Sequence, residues 1–500
     1  MLSKYTLWLI ASLLVIAVSA GRPTVLATGV GEESASPTVT AVDTACPQAL
    51  PPSASCKLRP SVPKDLSKPD GDPSSLESLQ QDFDVMSWYT FIAINWPARD
   101  GSADQVRVIG EHDAPAVWES WKESYEVFLP DGKKPAAWDE PHVPPPYFSA
   151  QAKDDFRREG KAVSKMGKGY SWSLPTMPFQ NEQPFESGPL IDQEGRYARF
   201  EILMNRDMFE YIVGNDLYNI EGQEKAKSTV FPCGAIVADT VNHLDVRDGA
   251  IVVKAAWKIL TDEEVKSGHF HVRDAVIYSP KEKDIPHGEQ RAPNVKIGLV
   301  GLHIVHKSKD SQQWTWSTFE QVDNNPEYGE DPTKKHYSFF AAGSANQKIN
   351  VPPDRPWDPT RGLAGSDDEK PQPPELASRR SQIVRMIPIS KATHFVNAQF
   401  QKKLREVNSK SVWQYYQLVS TQWPTRKVPN CAAQERVLVD VTAGPAPVFL
   451  GNSTLESYIQ GQVPNTSSSC MECHANAMTT AGRFADFSYL LQQAKHRKPE

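Results

Sequence analysis

The run VKIGLVGLHIVHK, residues 295–307, is dominated by Val, Ile and Leu and reads as a β-strand. Three runs around it share this character: AIVVKAAWKIL (250–260), HFHVRDAVIYS (269–279) and QQWTWSTFEQV (312–322). Polar loops separate the four, and the spacings are short for intervening helices. An antiparallel meander is therefore the economical topology.

Helical patterns flank this centre. In SLESLQQDFDVMSWYTFIAINWP (75–97), Leu79, Phe83, Met86, Tyr89 or Thr90, and Ala93 recur at helical spacing, and Pro97 ends the run. AVWESWKESYEVF (116–128) repeats the idea with Trp118, Trp121, Tyr125 and Phe128 on one stripe. A packed core accounts for most such aromatics more simply than a cofactor pocket does. RYARFEILMN (196–205) reads as a strand leading into a helix through RDMFEYIVGNDLYN (206–219), and THFVNAQFQKKLREVN (393–408) reads as another helix. In the tail, RFADFSYLLQQAKH (483–496) predicts a short amphipathic helix with Phe484, Phe487 and Leu490 or Leu491 inward.

The N-terminus bears on the compartment. MLSKYTLWLIASLLVIAVSAGRP (1–23) carries Lys4, an apolar run from Tyr5 to Val18, and small residues at Val18 and Ala20, before Gly21. That is the layout of a cleaved signal peptide over residues 1–20. An uncleaved anchor is the competing reading, but the run is short for a ~20-residue span. The mature chain is expected in the periplasm or secreted, with no membrane anchor left after cleavage. Residues 21–75 are rich in Pro, Ser, Thr and Ala and read as a linker. An α+β domain is expected over 76–424, with residues 425–500 as a C-terminal segment packed on it.

Six cysteines are present. Cys46, Cys56, Cys233 and Cys431 fit two disulfides in an oxidising compartment. Of the three possible pairings, Cys46–Cys56 with Cys233–Cys431 is favoured, a short local loop and a long tie. The formal net charge is −7, and no Lys/Arg cluster reads as a nucleic-acid surface. Asp70-Gly71-Asp72 lacks the closing Glu of a calcium loop, and nothing forms a phosphate loop or a Ser-His-Asp set.

The other two cysteines lie in SSSCMECHANA (467–477), where Cys470, Cys473 and His474 spell C-x-x-C-H. Composition alone expects this string roughly 0.002 times in such a chain, so chance does not explain it. A thioredoxin-like dithiol wants a βαβ context, which the preceding PNTSSS does not offer. Zinc wants a second Cys/His pair at finger spacing, which is absent from the sequence. Covalent haem c remains: two thiols three positions apart add to the porphyrin vinyl groups, and the adjacent imidazole is the proximal iron ligand.

With its signal-like start and Cys470-Met471-Glu472-Cys473-His474, the chain resembles c-type cytochromes. More narrowly, 300–320, 412–424 and 467–477 together are similar to a group of exported bacterial proteins with one C-terminal haem site. The resemblance implies one covalent haem c; the strand and helix patterns themselves predict an α+β fold with an antiparallel sheet centre and flanking helices, ending in a C-terminal helical haem c segment. The resemblance does not name a reaction; electron transfer with a redox partner protein that the residues do not name is the default expectation.

The sixth iron position is harder to assign. Only twenty-six residues follow His474, and Met478 is their one methionine. Four positions on from His474, Met478 would share its helical side and not reach the opposite haem face. Upstream residues are then the candidates: His269, His271, His303, His306, His394, Met86, Met204, Met208 and Met386. For each of them an ordinary core or surface role is the simpler reading. His303 is preferred as distal ligand because it alternates with Leu299 and Val305 on an apolar face, whereas His306 ends the strand. Were the position open instead, the iron would suit a redox enzyme acting on peroxide or oxygen, or a small-ligand sensor.

Overall fold

Nine strands form the main sheet: β1 (Lys122–Glu123), β2 (Ala162–Val163), β3 (Arg199–Met204), β4 (Ile251–Ile259), β5 (Val272–Ser279), β6 (Gln290–His306), β7 (Thr315–Gln321), β8 (Tyr416–Pro424) and β9 (Pro445–Ala446). The computed structural model describes residues 45–47, 50–63, 76–112, 114–146, 148–159, 162–163, 189–234, 236–238, 244–246, 248–279, 290–308, 314–343, 348–353, 380–425, 445–460 and 468–499. The expected signal peptide and Cys431 lie outside them. The strand order is β9-β8-β7-β6-β4-β3-β1; β5 pairs with β6, and β2 with β5. Only the short β2–β5 pair is parallel. The molecule is α+β with an antiparallel sheet, as expected.

Two features of the expected meander are corrected. β4 and β5 do not pair with each other; both pair with the long β6. A helix also fits between them, Asp262–Ser267, started by a capping box in which Thr261 and Glu264 satisfy each other's backbone N–H. The helix expected over 116–128 is corrected as well. It breaks into a 3₁₀ turn, strand β1 and one helical turn at Ser124–Val127, because Lys122 and Glu123 pair with Met204 and Leu203. Its aromatics are buried all the same.

The two long helices expected are present as α1 (Leu76–Ile94) and α2 (Lys391–Val407), with Arg206–Gly214 following β3. Ser390 caps α2 by accepting from Thr393 N. Val85, Trp88, Phe91 and Ile92 of α1 and Phe400 and Leu404 of α2 pack on Leu302, Ile304 and Phe319 of one sheet face. Trp88 stacks on Phe400 at 5.3 Å and Phe91 on Phe319 at 4.2 Å. Burying one such ring stabilises by roughly 1.5–3 kcal/mol. Asn397 ties the layers: it accepts from Trp88 Nε1 and exchanges two hydrogen bonds with Leu418 at the β7–β8 register shift.

The opposite face carries Ile202, Met204, Val252, Val305 and Trp316, and it packs on Met471, Ala477, Phe487, Leu490 and Leu491 of the C-terminal segment. A register shift between Leu299 and Gly301 moves Leu299 into the helix-covered core. His303 therefore shares its face with Val305 but not with Leu299, which corrects that part of the alternation.

Part of the expected linker is folded. Cys46 and Cys56 form a disulfide with Cα atoms 4.7 Å apart, and with Leu58 they join the helix-covered core. Tyr89 and Lys403 donate to the carbonyls of Leu50 and Ala54. Cys233 is also disulfide-bonded. Among the described residues no helix is long and apolar enough to cross a membrane.

Asp84 is fully buried between α1 and α2, accepting from Gln80 and Thr393. Burial pushes its carboxyl from the ordinary 3.8 up to about 6, against those hydrogen bonds. The folded state thus holds a proton that the unfolded state has released, and stability falls as pH rises between about 4 and about 6. Asp84→Asn should leave stability at pH 4 unchanged and raise it at pH 7 by up to about 3 kcal/mol. Urea unfolding across that range reads this out; parallel profiles for the two proteins would refute it.

Candidate functional site

The C-x-x-C-H string forms its own short helix, α3 here in chain order (Cys470–His474), with Ser469 as N-cap accepting from Glu472 N. Its first turn is pinned to the sheet, since Met471 N donates to Gln422 Oε1 on β8 at 2.8 Å and the Met471 side chain is buried. Cys470 and Cys473 stand one turn apart, both unbridged. Burial raises both thiols, and the nearby Glu456 carboxylate raises them further.

His474 closes the helix. Its Nδ1–H donates to the Phe487 carbonyl at 2.7 Å, which leaves Nε2 as the ring atom with a lone pair. Burial pushes the imidazole down to about 4, so it is neutral at ordinary pH. Tyr489 lies edge-on at 5.2 Å and Trp316 at 6.0 Å. Tyr489 also donates to the Cys473 carbonyl.

The chain beyond α3 departs from expectation. The helix ends at His474, so Met478 is not on it; it pairs with Phe484 in a β-bridge, and the helical-side argument about Met478 does not apply. Residues 483–496 are turns plus a 3₁₀ segment at Tyr489–Gln493. Phe487, Leu490 and Leu491 still point inward.

Among the sequence candidates, His303 is the one whose charge reaches His474, together with those of Lys254 and Glu456. Lys254 sits opposite His303 on β4. His303 is 8% exposed, and its Nε2 lies 2.9 and 3.1 Å from the two Glu456 oxygens. Its Nδ1 has no hydrogen-bond partner, and neither has Nε1 of Trp316, which is 3% exposed on the same sheet face. Other candidates have their own places. His271 bonds Glu119 and stacks on Trp413, His269 stacks on Tyr415, and His306 bonds the Asp248 carbonyl. His394 is exposed. Met86 packs with Phe83 and Trp423, while Met204 and Met208 lie in the core that contains Met471.

Glu456, Trp316 and the Phe487 carbonyl were not legible as site groups. Glu456 comes from a loop with no motif, and a backbone carbonyl leaves no trace in residue types. Trp316 had a faint signal: it lies in a block the resemblance already covered, at the strand's Trp-Thr-Trp.

Chemically, thiols held above their usual range are poor nucleophiles, which disfavours a dithiol exchange centre. Among the described residues no three His, Cys, Asp or Glu are grouped to hold a metal ion through side chains alone. What the short helix carries is one imidazole lone pair, at Nε2 of His474, and two unbridged thiols. No known protein family, curated protein or solved structure matches the chain. In the reduced protein, both thiols should react with iodoacetamide at pH 8 several-fold slower folded than in urea. Equal or faster reaction of the folded chain would restore the dithiol reading.

Proposed function

We propose that this chain is an exported, mono-haem c-type cytochrome-like protein that transfers electrons. In this reading Cys470 and Cys473 would hold a haem covalently through thioethers, formed by S–H addition to its vinyl groups with no net oxidation. His474 Nε2 would hold its iron. Bound there, the haem supplies one-electron redox chemistry at iron.

The observation carrying this reading is the His474 Nδ1–Phe487 hydrogen bond. Metal-bound histidines characteristically donate their second ring N–H to a carbonyl or carboxylate, which fixes the tautomer and the ring plane. Burial keeps the imidazole neutral and available. The surroundings suit a porphyrin. Val448, Phe449 and Tyr489 leave apolar side chains exposed around the attachment helix, and the unpartnered Trp316 Nε1–H and His303 Nδ1 are polar contacts in want of a partner. The Cys46–Cys56 disulfide fits export.

A second reading, an open sixth position serving peroxide or oxygen chemistry or ligand sensing, is favoured by one fact. One ring nitrogen of His303, Nε2, is already held by Glu456. His303 remains the proposed distal group of the electron-transfer reading, which requires either that contact to open or the unpartnered Nδ1 to serve.

Absorption spectra of oxidised and reduced protein, with and without carbon monoxide, separate the two. Low-spin spectra unmoved by carbon monoxide are expected for electron transfer; high-spin iron that binds it would establish the open site. His474→Ala should keep the haem attached while changing the spin state and the reduction potential. An unchanged spectrum would remove His474 from the iron.

A further inference from the structure

We propose that the buried Lys307–Asp486 ion pair is the positioning device for His474: it holds the Asp486–Phe487 turn so that the Phe487 carbonyl faces His474 Nδ1. The iron-related part of this claim rests on the functional reading above; the part about the imidazole stands on the protein alone.

Lys307 directly follows the long β6, and its Nζ lies 2.7 Å from Asp486 Oδ2, with both side chains wholly buried. The same Oδ2 accepts from Phe231 N at 2.8 Å, and the Asp486 carbonyl accepts from Trp314 Nε1 at 2.7 Å. Thr229 donates to the neighbouring Phe484 carbonyl, and Ala485 N to Ala477 O. These bonds fasten the turn to the sheet side and to the segment after α3, while the second Asp486 oxygen, Oδ1, has no hydrogen-bond partner.

Such fastening is needed because the backbone resists this shape. Asp486 has φ 46° and Phe487 φ 63°, two successive non-glycine residues in the left-handed region. Asp tolerates that region moderately, and Phe is an outlier there, so the conformation persists only where the surroundings over-determine it. Relaxing either φ to a negative value rotates the peptide that carries the Phe487 carbonyl. The carbonyl would then leave His474 Nδ1, and the proton would be free to move to Nε2, the atom a metal requires unprotonated. A charge pair suits this task. Removing one partner strands the other in a dry interior, so the turn stays where Lys307 is. Neither residue touches the imidazole; both act through the turn.

The test uses the full-length chain. In protein made without haem, ring-nitrogen NMR of the wild type should show His474 as the single Nδ1–H tautomer; an Nε2–H wild type overturns the proposal without any variant. Lys307→Met and Asp486→Asn each leave a buried group unpaired and can unfold the tail, so the informative variant is the double, Lys307→Met with Asp486→Asn. With near-UV dichroism unchanged, it should convert His474 to a mixture of tautomers. In haem-loaded protein, the same variant should shift or broaden the iron–histidine stretching band. A folded double variant that keeps one tautomer and an unmoved band refutes the device. Should the iron band ignore His474→Ala, the ligand assignment fails, while a tautomer change in the haem-free chain still supports the positioning role.

Discussion

From Ile297 to His306 strand β6 is buried on both faces, and that constraint organises the molecule. Leu302 and Ile304 face the two long helices, and Val305 faces the C-terminal segment, with Val252 and Trp316 beside it. A strand buried on both sides must have an apolar cover on each. The chain supplies helices for one side and irregular structure for the other. The second cover is knitted to the sheet by polar contacts instead of regular elements. Asn452 donates to Thr318 and Phe319 O, Ser453 donates to Glu320, and Arg385 pairs with the same Glu320. At Gly301 the cover comes so close that an added Cβ would sit 2.1 Å from Thr454 Oγ1.

This arrangement makes the C-x-x-C-H helix part of the core. Met471 anchors it in the sheet-facing cluster, and His474 takes its acceptor from the far side of the same cover. The polar groups that act on His474 come from β4, β6 and the 450s loop. Chemistry at His474 is therefore coupled to the packing of the whole second face. Loss of that packing would expose the imidazole, return it toward its ordinary titration range and free its tautomer together.

Patterns confined to one element were readable from sequence. The α1 spacing of Leu79, Phe83, Met86 and Ala93 and the strand-to-helix change at Asn205 report local geometry directly. What escaped was set by partners distant in sequence. Trp118, Trp121, Tyr125 and Phe128 are spaced as on a helix, yet pairing of β1 with β3 outweighs that preference. The extra residue at Val300 flips the face of Leu299, and Gly298 and Gly301 on either side are its faint signal. The helix after β4 was announced, by Thr261 and Glu264 in capping-box spacing, and the short gap argued it away. The site divides in the same manner. Cys470, Cys473 and His474 are adjacent and legible, whereas Glu456 and the left-handed turn at Asp486–Phe487 join them only through the fold.

The central claim is covalent haem on this short helix, and the mass of the denatured protein tests it most directly. Protein from a host competent in haem c maturation should, after unfolding and acid-acetone extraction, stay coloured and exceed its polypeptide mass by one haem. Digestion should place that mass on the peptide containing Cys470 and Cys473. A colourless chain of bare polypeptide mass from such a host would contradict the account.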